Sequence, residues 1–172
     1  MSTALVSIVI AALLLASVAL VAQASFTSVA GLADAWKDME VRTGEVARTD
    51  IEVVDTTRQS QLVDVIIRNS GETSLWDFDM WDVIVQYYQS SGTYHQKRLP
   101  YTATAPPGNN EWTVIGVYLD AGNQTPEVYQ PGLLDPEEEL LIRLKLSPAA
   151  SGGGPHRVIV GSSAGVTVTG TF

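Results

Sequence analysis

Four short constellations in this sequence hold residue types that can do chemistry. Gly161-Ser162-Ser163-Ala164-Gly165 fits the G-x-S-x-G pattern, which in a hydrolase exposes a nucleophilic serine on a strand-to-helix turn with its acid and histidine downstream. Fewer than ten residues follow, none a histidine, so the run predicts a hairpin turn. His95 and His156 are the only histidines, too far apart for a recognisable metal-ligand spacing, and are expected at the surface or a sheet edge. Glu72, Asp77, Asp79 and Asp82 surround Trp76, Phe78 and Trp81. Several carboxylates suit a calcium loop, but the regular Asp-x-Asp-x-Asp-Gly spacing is lacking. The preferred reading puts the aromatics in a core and the acids in turns and caps. Asn123-Gln124-Thr125 is a sequon, with Asn123 a candidate N-glycan acceptor in a loop. None of these supplies nucleophile, base and orienting group together, so no enzyme, cofactor, metal or small-molecule substrate is expected.

The elements that must position these residues follow from composition. The chain has 172 residues, a net charge of -9, 45% hydrophobic residues and no cysteine. From residue 59 onward twelve Asp/Glu stand against six Lys/Arg. An acidic surface repels phosphate backbones, which argues against nucleic acid. Without cysteine there is neither a disulfide framework nor a thiolate metal site.

Residues 1–33 carry no charged side chain, and the run LVSIVIAALLLASVALVA (5–22) is long enough to cross the ~30 Å hydrocarbon layer. Ala22-Gln23-Ala24 fits a signal cleavage site, yet no Lys or Arg precedes the run, which exceeds the ~7–15 residues of a signal core. Beyond it, Phe26, Val29, Leu32, Trp36, Met39, Thr43 and Val46 recur every three or four residues, with Asp34, Lys37, Asp38, Glu40, Arg42 and Glu45 between them. This spacing predicts one helix from near Met1 to near Val46, apolar all round and then amphipathic. At ~1.5 Å per residue it approaches ~70 Å. Small residues such as Ala11, Ala16, Ala22, Ser25 and Gly31 let such helices approach closely.

After Gly44 the period becomes alternating. Strands are expected at 50–56, 62–68, 82–88, 112–119, 140–146, 157–160 and 165–172, with loops at 106–110 and 151–155. Glu137, Glu138 and Glu139 are expected to cap a solvated loop. The fold class is therefore a long N-terminal α-helix (1–48) followed by an all-β immunoglobulin-like sandwich head (49–172).

VDVIIRNSGETSLWDFDMWDVIVQYY (63–88), then LLDPEEELLIRLKL (133–146) and a Gly/Thr/Val-rich ending, resembles the head of archaellins and of the related archaellin-like accessory proteins. In that pattern a strand ends in Asn-x-Gly, a loop leads into an Asp-Val strand, and a Pro-Glu turn precedes a late strand. The early glycines, the aromatic and the basic leader usual for archaellins are absent. Type IV pilins look similar at the N-terminus but carry an acid at the fifth mature position, where this chain has Leu5. The resemblance implies a structural subunit of a motility filament outside the cell, inserted in the cytoplasmic membrane before assembly and polymerising with many copies of itself. The assembly residues would then be Leu5, Val9, Leu13, Leu14, Val18, Val21, Phe26, Val29, Leu32, Trp36 and Met39. The alternative it implies is an accessory protein that stays in the membrane and tethers the motor to the envelope.

Overall fold

The computed structural model describes residues 2–151 and 154–172. Met1, at the start of the expected helix, and residues 152 and 153 of the expected 151–155 loop lie outside the described residues. The chain forms two compact units, Met1–Gly44 and Glu45–Phe172.

The first unit belongs to helix α1, Ser2–Arg48, which no proline interrupts. Four hydroxyls in its apolar part are bonded locally. The hydroxyls of Ser7, Ser17, Ser25 and Thr27 donate to the carbonyls of Thr3, Leu14, Val21 and Gln23 at 2.8–3.0 Å. Such back-bonding leaves no hydroxyl proton to be solvated, so these residues are tolerated in an apolar medium. Every residue from Thr3 to Thr43 is exposed. The most apolar 18-residue window has a mean hydropathy of 2.9, and α1 is long and apolar enough to cross a membrane.

The second unit is the immunoglobulin-like sandwich. Its strands are β1 (Ile51–Gln59), β2 (Leu62–Asn69), β3 (Asp82–Tyr88), β4 (Tyr94–Leu99), β5 (Glu111–Asp120), β6 (Thr125–Pro126), β7 (Glu139–Lys145), β8 (Arg157–Gly161) and β9 (Thr167–Thr171). All pairings between them are antiparallel, in sheets ordered β1-β2-β7-β5-β6 and β4-β3-β8-β9. Alternation places Val63, Val65 and Ile67 of β2 opposite Leu144, Ile142 and Leu140 of β7, and all six are fully buried. Val83, Val85 and Tyr87 of β3 and Val158 and Val160 of β8 face them from the other sheet. A bulge between Val53 and Asp55 bends β1 toward β9, where the Thr56 hydroxyl donates to the Thr171 carbonyl.

Seven of these strands are expected from sequence; β4 and β6 are not. Tyr-His-Gln-Lys-Arg-Leu of β4 is largely polar because it closes the edge of its sheet, burying only Leu99. Two further expectations need correcting. His156 is buried, stacked on Phe172 at 5.5 Å, and its Nδ1 accepts the Tyr88 N–H at 3.3 Å. Of the three glutamates expected in a solvated loop, Glu138 and Glu139 are buried, because specific donors satisfy their oxygens.

Candidate functional site

The segment where the chain passes from helix to sandwich is organised by the Asn69-Ser70-Gly71 turn that ends β2. Asn69 is fully buried. Its Nδ2 donates to the carbonyls of Thr73 (2.8 Å) and Leu134 (3.0 Å), and its Oδ1 accepts the Gly71 N–H at 3.1 Å. Its backbone is held as well, by the Glu138 carbonyl and the Glu137 N–H. One side chain thus ties the β2 end to both neighbouring loops, which a residue of another shape or donor count cannot do.

Gly71 then lets the chain come close. A Cβ at this position would lie 2.4 Å from the Asp50 nitrogen and 2.6 Å from the Arg48 carbonyl oxygen. The Asp50 carbonyl accepts the N–H groups of Ser70 and Gly71, both at 3.1 Å, and the Arg48 carbonyl accepts the Glu72 N–H at 2.7 Å. Carbonyls at a helix C-terminus lack intrahelical partners, and here the turn supplies one. The Thr49 hydroxyl adds a bond to the Glu45 carbonyl at 2.8 Å. The Asn-x-Gly motif is therefore the clamp on the last turn of α1.

A groove of about 220 Å³ runs beside this clamp, lined by Glu45, Thr49, Thr73, Trp76, Asp77 and Ser163 among others. Ser163 is the central serine of the G-x-S-x-G run. Its hydroxyl donates to the Trp76 carbonyl at 3.4 Å, in a turn closed by Ser162 N–H to Val166 carbonyl at 2.8 Å. The run is the β8–β9 hairpin turn, as expected. Of the acidic and aromatic cluster, Trp81 enters the core with Phe78 packed edge-on at 5.4 Å, whereas Trp76 is 53% exposed. Asp82 pairs with Arg98 through a 2.7 Å bond, and Asp77 sits in the left-handed region at φ 52°. Among the described residues no three His, Cys, Asp or Glu side chains converge as metal ligands would.

Electrostatics stiffens the same end of the sandwich. Arg68 bridges Glu139 at 2.7 Å and Glu52 at 3.3 Å, and the other Glu139 oxygen accepts the Ala121 N–H at 2.8 Å. The bond to Glu139 raises the Arg68 pKa. Glu138, accepting the Asp135 N–H at 2.8 Å and sharing a hydrogen bond with Glu127, is pushed up, foremost by burial. Glu127 is held low, chiefly by the Tyr129 N–H. Asn123 is exposed in the turn after β5, with its N–H and Nδ2 donating to Asp120 at 2.8 and 2.7 Å, which lowers the Asp120 pKa. Sequence reasoning marks Asn69-Ser70-Gly71 as a turn from its residue types and as part of a resemblance, but not as a contact with the end of the helix. The contacts of Asn69 and Gly71 give its physical basis, and nothing local in sequence marks Glu139 or Ala121 as partners.

The assembly residues read from sequence, Leu5, Val9, Leu13, Leu14, Val18, Val21, Phe26, Val29, Leu32, Trp36 and Met39, all lie on α1, and all are exposed. They ring the helix in its apolar half and narrow to one stripe beyond it.

A membrane-length helix carrying an immunoglobulin-like sandwich defines the class of protein. Residues 47–130 match the family model described as conserved flagellar protein F, immunoglobulin-like domain. The archaellum periplasmic stator protein FlaG from Sulfolobus acidocaldarius matches with a TM-score of 0.52 at 19% identity, over 72% of this chain and 99% of that one. A chain from the FlaF and FlaG stator complex of the same organism matches with a TM-score of 0.51 at 20% identity, over 71% of this chain and 87% of that one. No curated protein matches the chain. At these identities the solved structures establish the fold. The family model and both solved structures describe proteins associated with the archaellum, and none of the three describes archaellin itself. The terms filament, helical polymer and pilin-like, expected from the resemblance, find no support in these likenesses.

Proposed function

We propose that this chain is a membrane-anchored accessory protein of an archaellum-type motility apparatus, with α1 as the anchor and the sandwich as a binding module outside the membrane. The observation that carries this reading is the likeness of residues 47–130 to the flagellar protein F domain, joined to a helix of membrane length. One of the similar solved structures is a complex of two stator proteins, so the favoured partner is another sandwich protein of the apparatus. The chemistry is recognition without turnover: rigid sheets present edges and loops, and the helix fixes them at the membrane. On this reading 49–172 is an independent domain and Asn123 is accessible to a glycosylating enzyme.

Shearing the appendages from cells and following the chain with an antibody tests this. The accessory reading expects it in the membrane fraction, with a deletion strain that still exports filament subunit but swims poorly. Recovery as the dominant protein of the sheared filaments would overturn the reading in favour of a filament subunit.

A further inference from the structure

Two carboxyl groups meet where the chain returns from β6 to β7. Glu127 follows β6 and its N–H donates to the Val117 carbonyl of β5 at 3.0 Å, while Glu138 precedes β7 and its carbonyl accepts the Asn69 N–H at 3.0 Å. Both backbones are thus fixed to strands. Between them the chain runs over the surface, with Val128 77% and Tyr129 92% exposed, until Leu134 returns to the core and pairs with Leu75.

The two side chains hold this loop. Glu127 Oε1 accepts the N–H groups of Tyr129 at 2.6 Å and Gln130 at 3.2 Å, folding 127–130 into a turn, and the Leu133 N–H donates to the Gln130 carbonyl at 2.9 Å. Glu138 Oε2 accepts the Asp135 N–H at 2.8 Å, and its carboxyl also shares a hydrogen bond with Glu127. Ionised carboxylates only accept, so a hydrogen bond between two carboxyl groups requires a proton. We propose that a proton shared by Glu127 and Glu138 clasps the 127–133 loop, holding Val128 and Tyr129 in one presentation in acid and releasing them as pH rises.

The surroundings place the proton on Glu138. That residue is 9% exposed, and a carboxylate removed from water without a cation is costly, whereas two backbone N–H groups stabilise the Glu127 anion. Burial pushes the Glu138 pKa up, and the Tyr129 N–H holds Glu127 low, as this division of roles requires. The charged groups acting on Glu138 are Glu127 and Asp135, both acidic, while Arg68 is bound by Glu139 and Glu52. Loss of the proton therefore sets like charges in contact, and Glu127, the more exposed of the two, turns to water and gives up the Tyr129 and Gln130 N–H groups. Leu134 stays, because it exchanges two backbone bonds with Leu75 at 2.8 and 2.9 Å. The clasped form binds the extra proton, so it is present below the unfolded pKa of Glu138 and lost as pH rises through the folded one. The clasp lies wholly within the sandwich; only its use as a pH-gated contact rests on the accessory-protein reading, which shearing tests separately.

Hydrogen exchange of the full chain in detergent micelles, followed by mass spectrometry on peptides spanning 127–134 and corrected for the intrinsic pH dependence of exchange, tests the clasp. From about pH 5 to about pH 8, the range in which a buried glutamate gives up its proton, protection of the 128–133 amides should fall roughly tenfold. Glu138→Gln, whose amide donates to Glu127 at every pH, should keep that protection constant. Glu127→Ala should lack it at both ends of the range. Unchanged protection in the native chain, an equal fall in Glu138→Gln, full protection in Glu127→Ala, or a fall shared equally by the core strand β2 would overturn the clasp.

Discussion

The two units hold their apolar residues in opposite ways. Leu13 on α1 is 65% exposed, and Leu144 in β7 is fully buried. The sandwich closes its core with its own strands, whereas α1 exposes a continuous apolar surface that only lipid or another helix can cover. The sandwich is therefore defined by contacts within the chain and the helix by contacts outside it. Stability and location separate accordingly, one per unit.

The largest effect expected from this contrast comes from removing residues 1–48. The remaining 124 residues should stay folded, β-rich and soluble while losing all membrane association, since a core of this size suffices and the surface is acidic. Circular dichroism and flotation with vesicles check both halves, and aggregation of the shortened chain would show that the sandwich depends on the helix. Next in size is a matched pair of truncations. Leu144→Ala should cost about 2–5 kcal/mol in urea unfolding, because it leaves a cavity between two sheets. Leu13→Ala should leave the same transition unmoved.

Two glycines sharpen the contrast further. At Gly71 a new Cβ collides with the backbone of residues 48–50, so Gly71→Ala should destabilise the sandwich by about 1–3 kcal/mol. At Gly31 nothing lies within 4 Å, and Gly31→Ala should leave sandwich melting unchanged while favouring helix by about 1 kcal/mol. Equal melting temperatures for the two variants would remove the clamp from the account.

The smallest expected effect concerns Glu138, whose folded pKa lies above its unfolded value because of burial. Its contribution is present below the unfolded pKa and is lost as pH rises through the folded one. Glu127 and Asp120, held low, contribute above their unfolded values and lose that on acidification. Glu138→Gln should therefore raise the thermal midpoint at pH 7 and flatten its fall with rising pH above the usual carboxylate range. A lower midpoint at pH 7 would show that the charged Glu138 is the stabilising form.

Sequence by itself determined the helix, the sandwich class and seven strands, because each is a local period: all-round apolarity and then three-four spacing in α1, alternation in β2, β3 and β7. It also identified the G-x-S-x-G run as a turn, since the required downstream residues were missing. Only tertiary structure decided the rest. The strand β4 exists through its pairing with β3, and its polar composition reflects an edge that local pattern cannot foresee. Glu139 is buried because Arg68 and the Ala121 N–H reach it from far along the chain, and His156 because the Tyr88 N–H and the Phe172 ring do. The Asn-x-Gly turn is visible as letters, but its need for glycine comes from the backbone of residues 48–50 passing within van der Waals distance. A buried polar group is set by its partners, and those partners are chosen by the fold.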